Sequence, residues 1–296
     1  MPHTDSPAPR TAPAWANPPD PVPVGPQLSM FDPLFVGIDE FGQPVYLDVI
    51  YRNLLVAGEP GGGKSGLINN VGGYAALCDR TRLVCFDGKW VELGPWRHIS
   101  DEFVGPDIEH GLATLRRLLT VANNRYQWLL AHRRRKVEPG DGLTVIVTFI
   151  DELALFTTVL GTKAQQEEFA TLLRGFVSLG RACAMPVVAA TQRPSWDIIP
   201  ASLRDLFGYR AAFRCTTLNS SNIILGQGWA EQGYNANDIS PDNQGEAFLL
   251  AEGGVPRRIK AAYLTDEQLY AIADYAAWIR RPNGTTPSAA ATIRAA

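Results

Sequence analysis

Apolar residues in this chain gather into two kinds of stretch. Short, nearly continuous runs end in polar residues, and longer stretches carry apolar positions every three or four residues. The short runs predict strands at 53–57, 82–86, 143–150, 186–190 and 209–213. The run Leu143-Thr144-Val145-Ile146-Val147-Thr148-Phe149-Ile150 shows no polar alternation, which suits a strand buried on both faces in the centre of a parallel sheet. The longer stretches predict helices. One runs from Ser65 to about Cys78. A second spans 107–136 and carries Leu112, Leu115, Leu118, Leu119, Ala122, Tyr126, Leu129 and Leu130 on one face. A third spans 162–181, with Phe169, Leu172, Leu173, Phe176 and Val177 on one face. The last starts at Thr265 with the capping-box pattern Thr265-Asp266-Glu267-Gln268 and runs to about Ile279. Two short pieces around a Gly-containing turn, 36–39 and 42–48, predict an N-terminal β-hairpin. A second pair, 245–250 and 257–261, predicts a hairpin at a sheet edge. The fold class expected is α/β, a mainly parallel sheet flanked by helices.

Composition narrows the setting. Residues 1–29 are rich in Pro and Ala with little to bury, and 282–296 are similar, so both are expected to be disordered tails around a folded domain at 30–281. The formal net charge is −3, so no global basic field advertises nucleic acid, and any contact with DNA must come from local cations or from a ring that concentrates them. Cys78, Cys85, Cys183 and Cys215 are scattered through apolar runs without a C-x-x-C pair. That pattern predicts buried core thiols, no metal bound through cysteine and a reducing, cytoplasmic location. No apolar run is long enough to cross a membrane, and the N-terminus lacks a signal-peptide pattern, so no direct membrane span is expected.

The chemistry centres on Gly58-Glu59-Pro60-Gly61-Gly62-Gly63-Lys64-Ser65, a full match to G-x-x-x-x-G-K-[ST] set between a strand and a helix. Glycines let successive N–H groups turn inward toward phosphate oxygens, and the helix start at Ser65-Gly66 adds its own N–H groups and positive dipole end. ATP is the expected ligand: Lys64 would reach the β- and γ-phosphates and the Ser65 hydroxyl would ligate Mg2+. Asp151-Glu152 closes the most apolar strand, where an α/β sheet places its ligands. Asp151 would hold the Mg2+ and Glu152 would orient or polarise the attacking water. Gln192, at the end of the 186–190 strand, is placed to touch the γ-phosphate. Two features keep two readings each. Asp87 is either a turn-former or a site residue. Arg133-Arg134-Arg135-Lys136 is either a solvated helix end or a phosphate-contacting patch.

The order of these motifs resembles the FtsK/SpoIIIE family of DNA-translocating ATPases over roughly 36–250. Gly37-Ile38-Asp39 and Gly42-Gln43-Pro44-Val45 resemble that family's entry hairpin. Asp87-Gly88-Lys89 with Glu92-Leu93 resembles its Asp-Pro-Lys and Glu-Leu motif, with Gly for Pro, and Arg125-Tyr126 sits at its Arg-Arg-Tyr helix. Gly180-Arg181-Ala182 and Ala190-Thr191-Gln192-Arg193-Pro194 resemble its most specific string. The resemblance implies a RecA-like P-loop NTPase core, a homo-hexameric ring and translocation of double-stranded DNA in conjugation or segregation, as in actinomycete transfer proteins. It also implies an arginine supplied in trans, with Arg210 and Arg214 as candidates and Arg181 behind them; such a finger is worth about 10^3- to 10^5-fold in turnover. Arg210 has a second reading as a strand ion pair. The family's Ser-Arg appears here as Ser221-Asn222. A winged-helix DNA-reading domain and a membrane-spanning segment are not expected, so targeting would come through partner proteins, membrane-associated ones among them. Two other functions share these motifs: a protein-secretion ATPase of the EccC type, and an adaptor that uses nucleotide as a switch.

Overall fold

The computed structural model describes residues 28–78 and 80–280. The expected C-terminal tail, and all but the last two residues of the N-terminal one, lie outside the described residues. The chain opens with β1 (Leu34–Asp39) and β2 (Pro44–Leu47), then β3 (Leu54–Ala57), α1 (Lys64–Leu77), β4 (Thr81–Phe86), β5 (Glu102–Val104) and α2 (Ile108–Ala131). It continues through β6 (Val145–Ile150), α3 (Lys163–Gly180), β7 (Val187–Thr191), α4 (Ala201–Arg204), β8 (Tyr209–Phe213) and α5 (Leu218–Leu225). It closes with β9 (Glu246–Ala251), β10 (Arg257–Ala261) and α6 (Asp266–Arg280).

The ten strands of the described residues form one sheet in the order β2-β1-β10-β9-β8-β3-β7-β6-β4-β5. From β8 to β5 every pairing is parallel, and from β8 outward to β2 every pairing is antiparallel. Each parallel crossover carries chain over a sheet face, so the central strands are covered on both sides. β3 shows the result: Leu54 and Val56 join the core shared with α1 and α6, while Leu55 and Ala57 join the one shared with α2 and α3. The β9–β10 pair is a hairpin, as its pattern predicts, but it is not at an edge. It joins the parallel half to the β1–β2 hairpin, because β10 pairs β1 as well as β9.

Local chemistry sets the boundaries. Asp107 caps α2 by accepting the His110 amide at 3.1 Å. α2 ends at Ala131, short of the predicted Lys136, and Arg133 turns the chain in the left-handed region at φ 55°. The basic run therefore lies past the helix. Arg134 pairs with Glu138 and Asp141, both at 2.7 Å, and Lys136 lies over the Tyr51 ring. Leu130, expected inward, is 76 % exposed, while its neighbour Leu129 takes the core-facing position in the last turn. Thr162 caps α3, and Thr265 and Gln268 exchange the predicted capping hydrogen bonds before α6. Asn53, buried at φ 57°, donates to the Val177 carbonyl and accepts the Val187 amide, tying the entry of β3 to α3 and β7. All four cysteines are buried. Among the described residues, no helix is long and apolar enough to cross a membrane.

Candidate nucleotide site

The glycine-rich stretch links β3 to α1 at the carboxyl end of the parallel strands. Glycine is required where the loop meets its neighbours. At Gly58, a Cβ would stand 2.8 Å from Phe213 Cβ and 2.9 Å from the Arg214 carbonyl oxygen. At Gly63, with φ 100°, it would stand 2.4 Å from the Gly245 nitrogen. The loop is tied on three sides. Gly58 N–H donates to the Thr191 carbonyl at 3.3 Å, Glu59 N–H to the Arg214 carbonyl at 2.8 Å, and the Gly62 carbonyl accepts Gly245 N–H at 2.9 Å. Lys64 is buried and donates to the Glu59 carbonyl at 2.6 Å, so its ammonium stands inside the loop. Burial lowers its pKa, and the carboxylates of Glu152, Asp151 and Glu92 oppose that shift.

Asp151 and Glu152 follow β6, which the sheet order sets next to β7 and one strand from β3. Glu152 is fully engaged. One oxygen accepts the Thr191 hydroxyl at 2.6 Å and the Ala154 amide at 3.2 Å, and the other accepts the Gln192 amide at 2.8 Å. Asp151 is the opposite case. It is buried, and its Oδ2 has no hydrogen-bond partner among the described residues. Burial, then the charges of Glu92 and Asp87, push its carboxyl up to about 7, with Lys89 opposing. A π-helical turn, Leu155–Val159, follows this pair; such turns are rare and concentrate at functional sites.

A cavity of about 410 Å³ opens over the loop, within the range of small-molecule sites. Pro60, Gly61, Gly63, Lys64, Ser65 and Gly66 line one wall and Gln192 another, so the predicted phosphate loop and Gln192 share one space. Glu92 also lines it. The sequence marks Glu92 through the Glu-Leu motif of the family resemblance, and its place five residues after Asp87, just past the carboxyl end of β4, is the local signal. Asp87 is a turn-former: its two oxygens accept the amides of Lys89 and Leu93, each at 2.9 Å, which aims the loop carrying Glu92. Gln244, Gly245, Lys260 and Tyr263 complete the wall, brought in by β9 and β10 with no local motif to announce them.

The arginines separate. Arg214 Nη1 stands 3.1 Å from Glu59 Oε2, on the phosphate loop of its own chain. Arg210 faces Asp205 at 3.6 Å, before the start of β8 and therefore at the sheet end opposite the loop. Arg181 donates to the Tyr51 carbonyl at 2.6 Å and to Glu252 at 2.7 Å, also at that far end. Asn222 is buried and braces a loop, donating to Glu231 and accepting the Ala230 amide.

A sequence model of the FtsK/SpoIIIE family matches residues 21–230. The chain belongs to the FtsK/SpoIIIE family. Members of that family are P-loop ATPases. Among FtsK/SpoIIIE relatives, the chain is similar to the DNA translocase FtsK of Corynebacterium glutamicum. The two are 31% identical over 261 residues, covering 79% of this chain and 27% of that protein. It is also similar to the DNA translocase FtsK of Haemophilus influenzae, at 28% identity over 82% of this chain and 51% of that one. The chain thus spans about a quarter to a half of the relatives it matches. In fold it is similar to the conjugation coupling protein TcpA of pCW3, solved as a monomer with ATPγS, with a TM-score of 0.73 at 20% identity over 90% of this chain and 76% of that one. It also resembles the type VII secretion ATPase EccC of Thermomonospora curvata, with a TM-score of 0.62 at 19% identity over 89% of this chain and 32% of that one.

Proposed function

We propose that this chain is the ATP-hydrolysing motor domain of a double-stranded DNA translocase, working in the cytoplasm as a hexameric ring in DNA transfer or segregation. The observation that carries the reading is one cavity in which Lys64, Ser65 and Gln192 meet beside Asp151 and Glu152. Backbone amides of the loop and Lys64 bind the triphosphate of ATP. Mg2+ fits the residues present: Asp151 offers a buried oxygen with no protein partner among the described residues, Ser65 offers a hydroxyl, and both are the hard oxygen donors that this cation takes. When bound, Mg2+ neutralises charge developing on the phosphates. Glu152, held by Thr191 and the Gln192 amide, positions the attacking water and accepts its proton. The Gln192 side chain meets the γ-phosphate. Its backbone amide is bonded to Glu152, so loss of that phosphate is felt at the water-positioning residue and along β7.

DNA as the polymer is supported by the translocase relatives at 28–31% identity. Transfer between cells is supported by the likeness to a conjugation coupling protein. The net charge of −3 favours a second reading, export of a polypeptide. One assay separates them: steady-state ATP turnover at low salt with and without duplex DNA, alongside mass in solution with a nonhydrolysable analogue. A several-fold rise with duplex and a ring-sized mass are expected. Turnover indifferent to duplex at every salt concentration would sink the DNA motor.

A further inference from the structure

The cavity extends past anything the phosphate chemistry uses. Asp151, Glu92 and Gln192 stand on the β7-β6-β4 side of the loop, which marks the γ-phosphate end. The far wall comes from the other side of β3, from β10 and the chain after it, and it contains Lys260 and Tyr263. Tyr263 is the single aromatic residue among those lining the cavity. It is 74 % exposed, and its ring has no ring partner among the described residues. A large aromatic side chain left open to solvent beside a polar cavity is placed for a flat ligand group, since a π-face offers stacking area at little conformational cost.

Its position relative to the loop is fixed through backbone. Gly62 accepts Gly245 N–H at 2.9 Å, the Gly245 carbonyl accepts Ala261 N–H at 2.8 Å, and Ala262 N–H donates to the Val36 carbonyl at 2.8 Å. The segment is thereby laid over the first turn of α1. A Cβ at Gly66 would lie 3.5 Å from the Ala262 carbonyl and 4.0 Å from the Tyr263 ring. Lys260 lines the same cavity. Its ammonium uses one donor on the Gln244 carbonyl at 2.6 Å, and two donors remain for phosphate or ribose oxygens.

We propose that Tyr263 is the base-stacking residue of the nucleotide site, with the β10–α6 linker as the floor on which the purine lies. The proposal rests on the reading of this cavity as a triphosphate site. Stacking on an aromatic ring recognises the face of a base and not the phenolic hydroxyl, so phenylalanine serves as well as tyrosine.

Equilibrium binding of Mg-ATP and of Mg-tripolyphosphate, which has no base, tests this on the wild type, Tyr263→Ala and Tyr263→Phe. Tyr263→Ala should weaken Mg-ATP about tenfold and leave Mg-tripolyphosphate unchanged, and Tyr263→Phe should match the wild type for both. Mg-ATP binding by Tyr263→Ala at the wild-type affinity overturns the proposal. So does an equal loss of both ligands, which would mean that the ring supports the loop and not the base. If the wild type binds neither ligand, it is the triphosphate site itself that fails.

Discussion

Glu152 and Asp151 are neighbours with opposite surroundings, and each implies a different experiment. Glu152 has three protein donors, and Glu152→Gln keeps two of these contacts: the amide oxygen accepts Gln192 N–H and the amide nitrogen donates to the Thr191 hydroxyl, while Ala154 N–H loses its acceptor. Nucleotide binding should survive while turnover falls by about 10^2- to 10^4-fold. Equal turnover in wild type and variant would remove Glu152 from the chemistry. Asp151 titrates at about 7 in the fold, against about 3.9 for an unfolded chain. Between those values the folded chain keeps a proton that the unfolded chain has lost, so without metal its stability falls as pH rises from about 4 to 7. Asp151→Asn abolishes that loss. In chelator-treated protein the variant should exceed the wild type at pH 8 by an amount on the order of a few kcal/mol, with the advantage shrinking toward pH 5. Denaturant unfolding at the two pH values checks it. Both acids were legible in the sequence because they close an apolar strand downstream of a phosphate loop. Glu92 was visible only within the Glu-Leu motif that the family resemblance picks out, and Tyr263 was not visible, since its relevance depends on which strands the sheet sets beside β3.

The phosphate loop and β9 share a backbone contact that no periodicity encodes. Gly61 and Gly63 both have positive φ, 75° and 100°, but a Cβ at Gly61 meets nothing within 4 Å while one at Gly63 collides with Gly245. Gly61→Ala should therefore cost about 1–2 kcal/mol, the left-handed backbone penalty alone. Gly63→Ala should cost more than about 3 kcal/mol and abolish nucleotide binding, because the loop must move off β9. Thermal or denaturant unfolding of the pair decides it, and equal costs would mean that the contact is unimportant. The four long helices, the entry hairpin and every strand but β5 follow from local pattern; the three residues of β5 are too few to carry one. The interior place of β9 and β10 was not legible, because strand order is set by partners far along the chain. The π-helical turn after Glu152 lacks a sequence signature of its own, and the end of α2 was overrun because charged residues continue the helical period past the point where Arg133 reverses the chain.

Arginine placement bears on how copies would cooperate. The family resemblance led to an arginine acting on a neighbour's nucleotide, yet Arg214 reaches Glu59 of its own loop and Arg210 sits at the opposite sheet end. If Arg214 serves its own site, mixing Lys64→Ala chains with Arg214→Ala chains should restore no ATP turnover. Recovery of an appreciable fraction on mixing would make Arg214 a trans residue after all. The ends of the sheet bear on the same question. The outermost strands are β2, four residues beginning with Pro44, and β5, three residues. Short edges, with proline on one of them, are poor templates for adding a strand from another molecule. Ten strands concentrated to high local density would otherwise invite fibrous stacking. The two edges of this sheet are thus poorly suited to recruit a strand from another copy, so contacts between copies are expected through helices and loops.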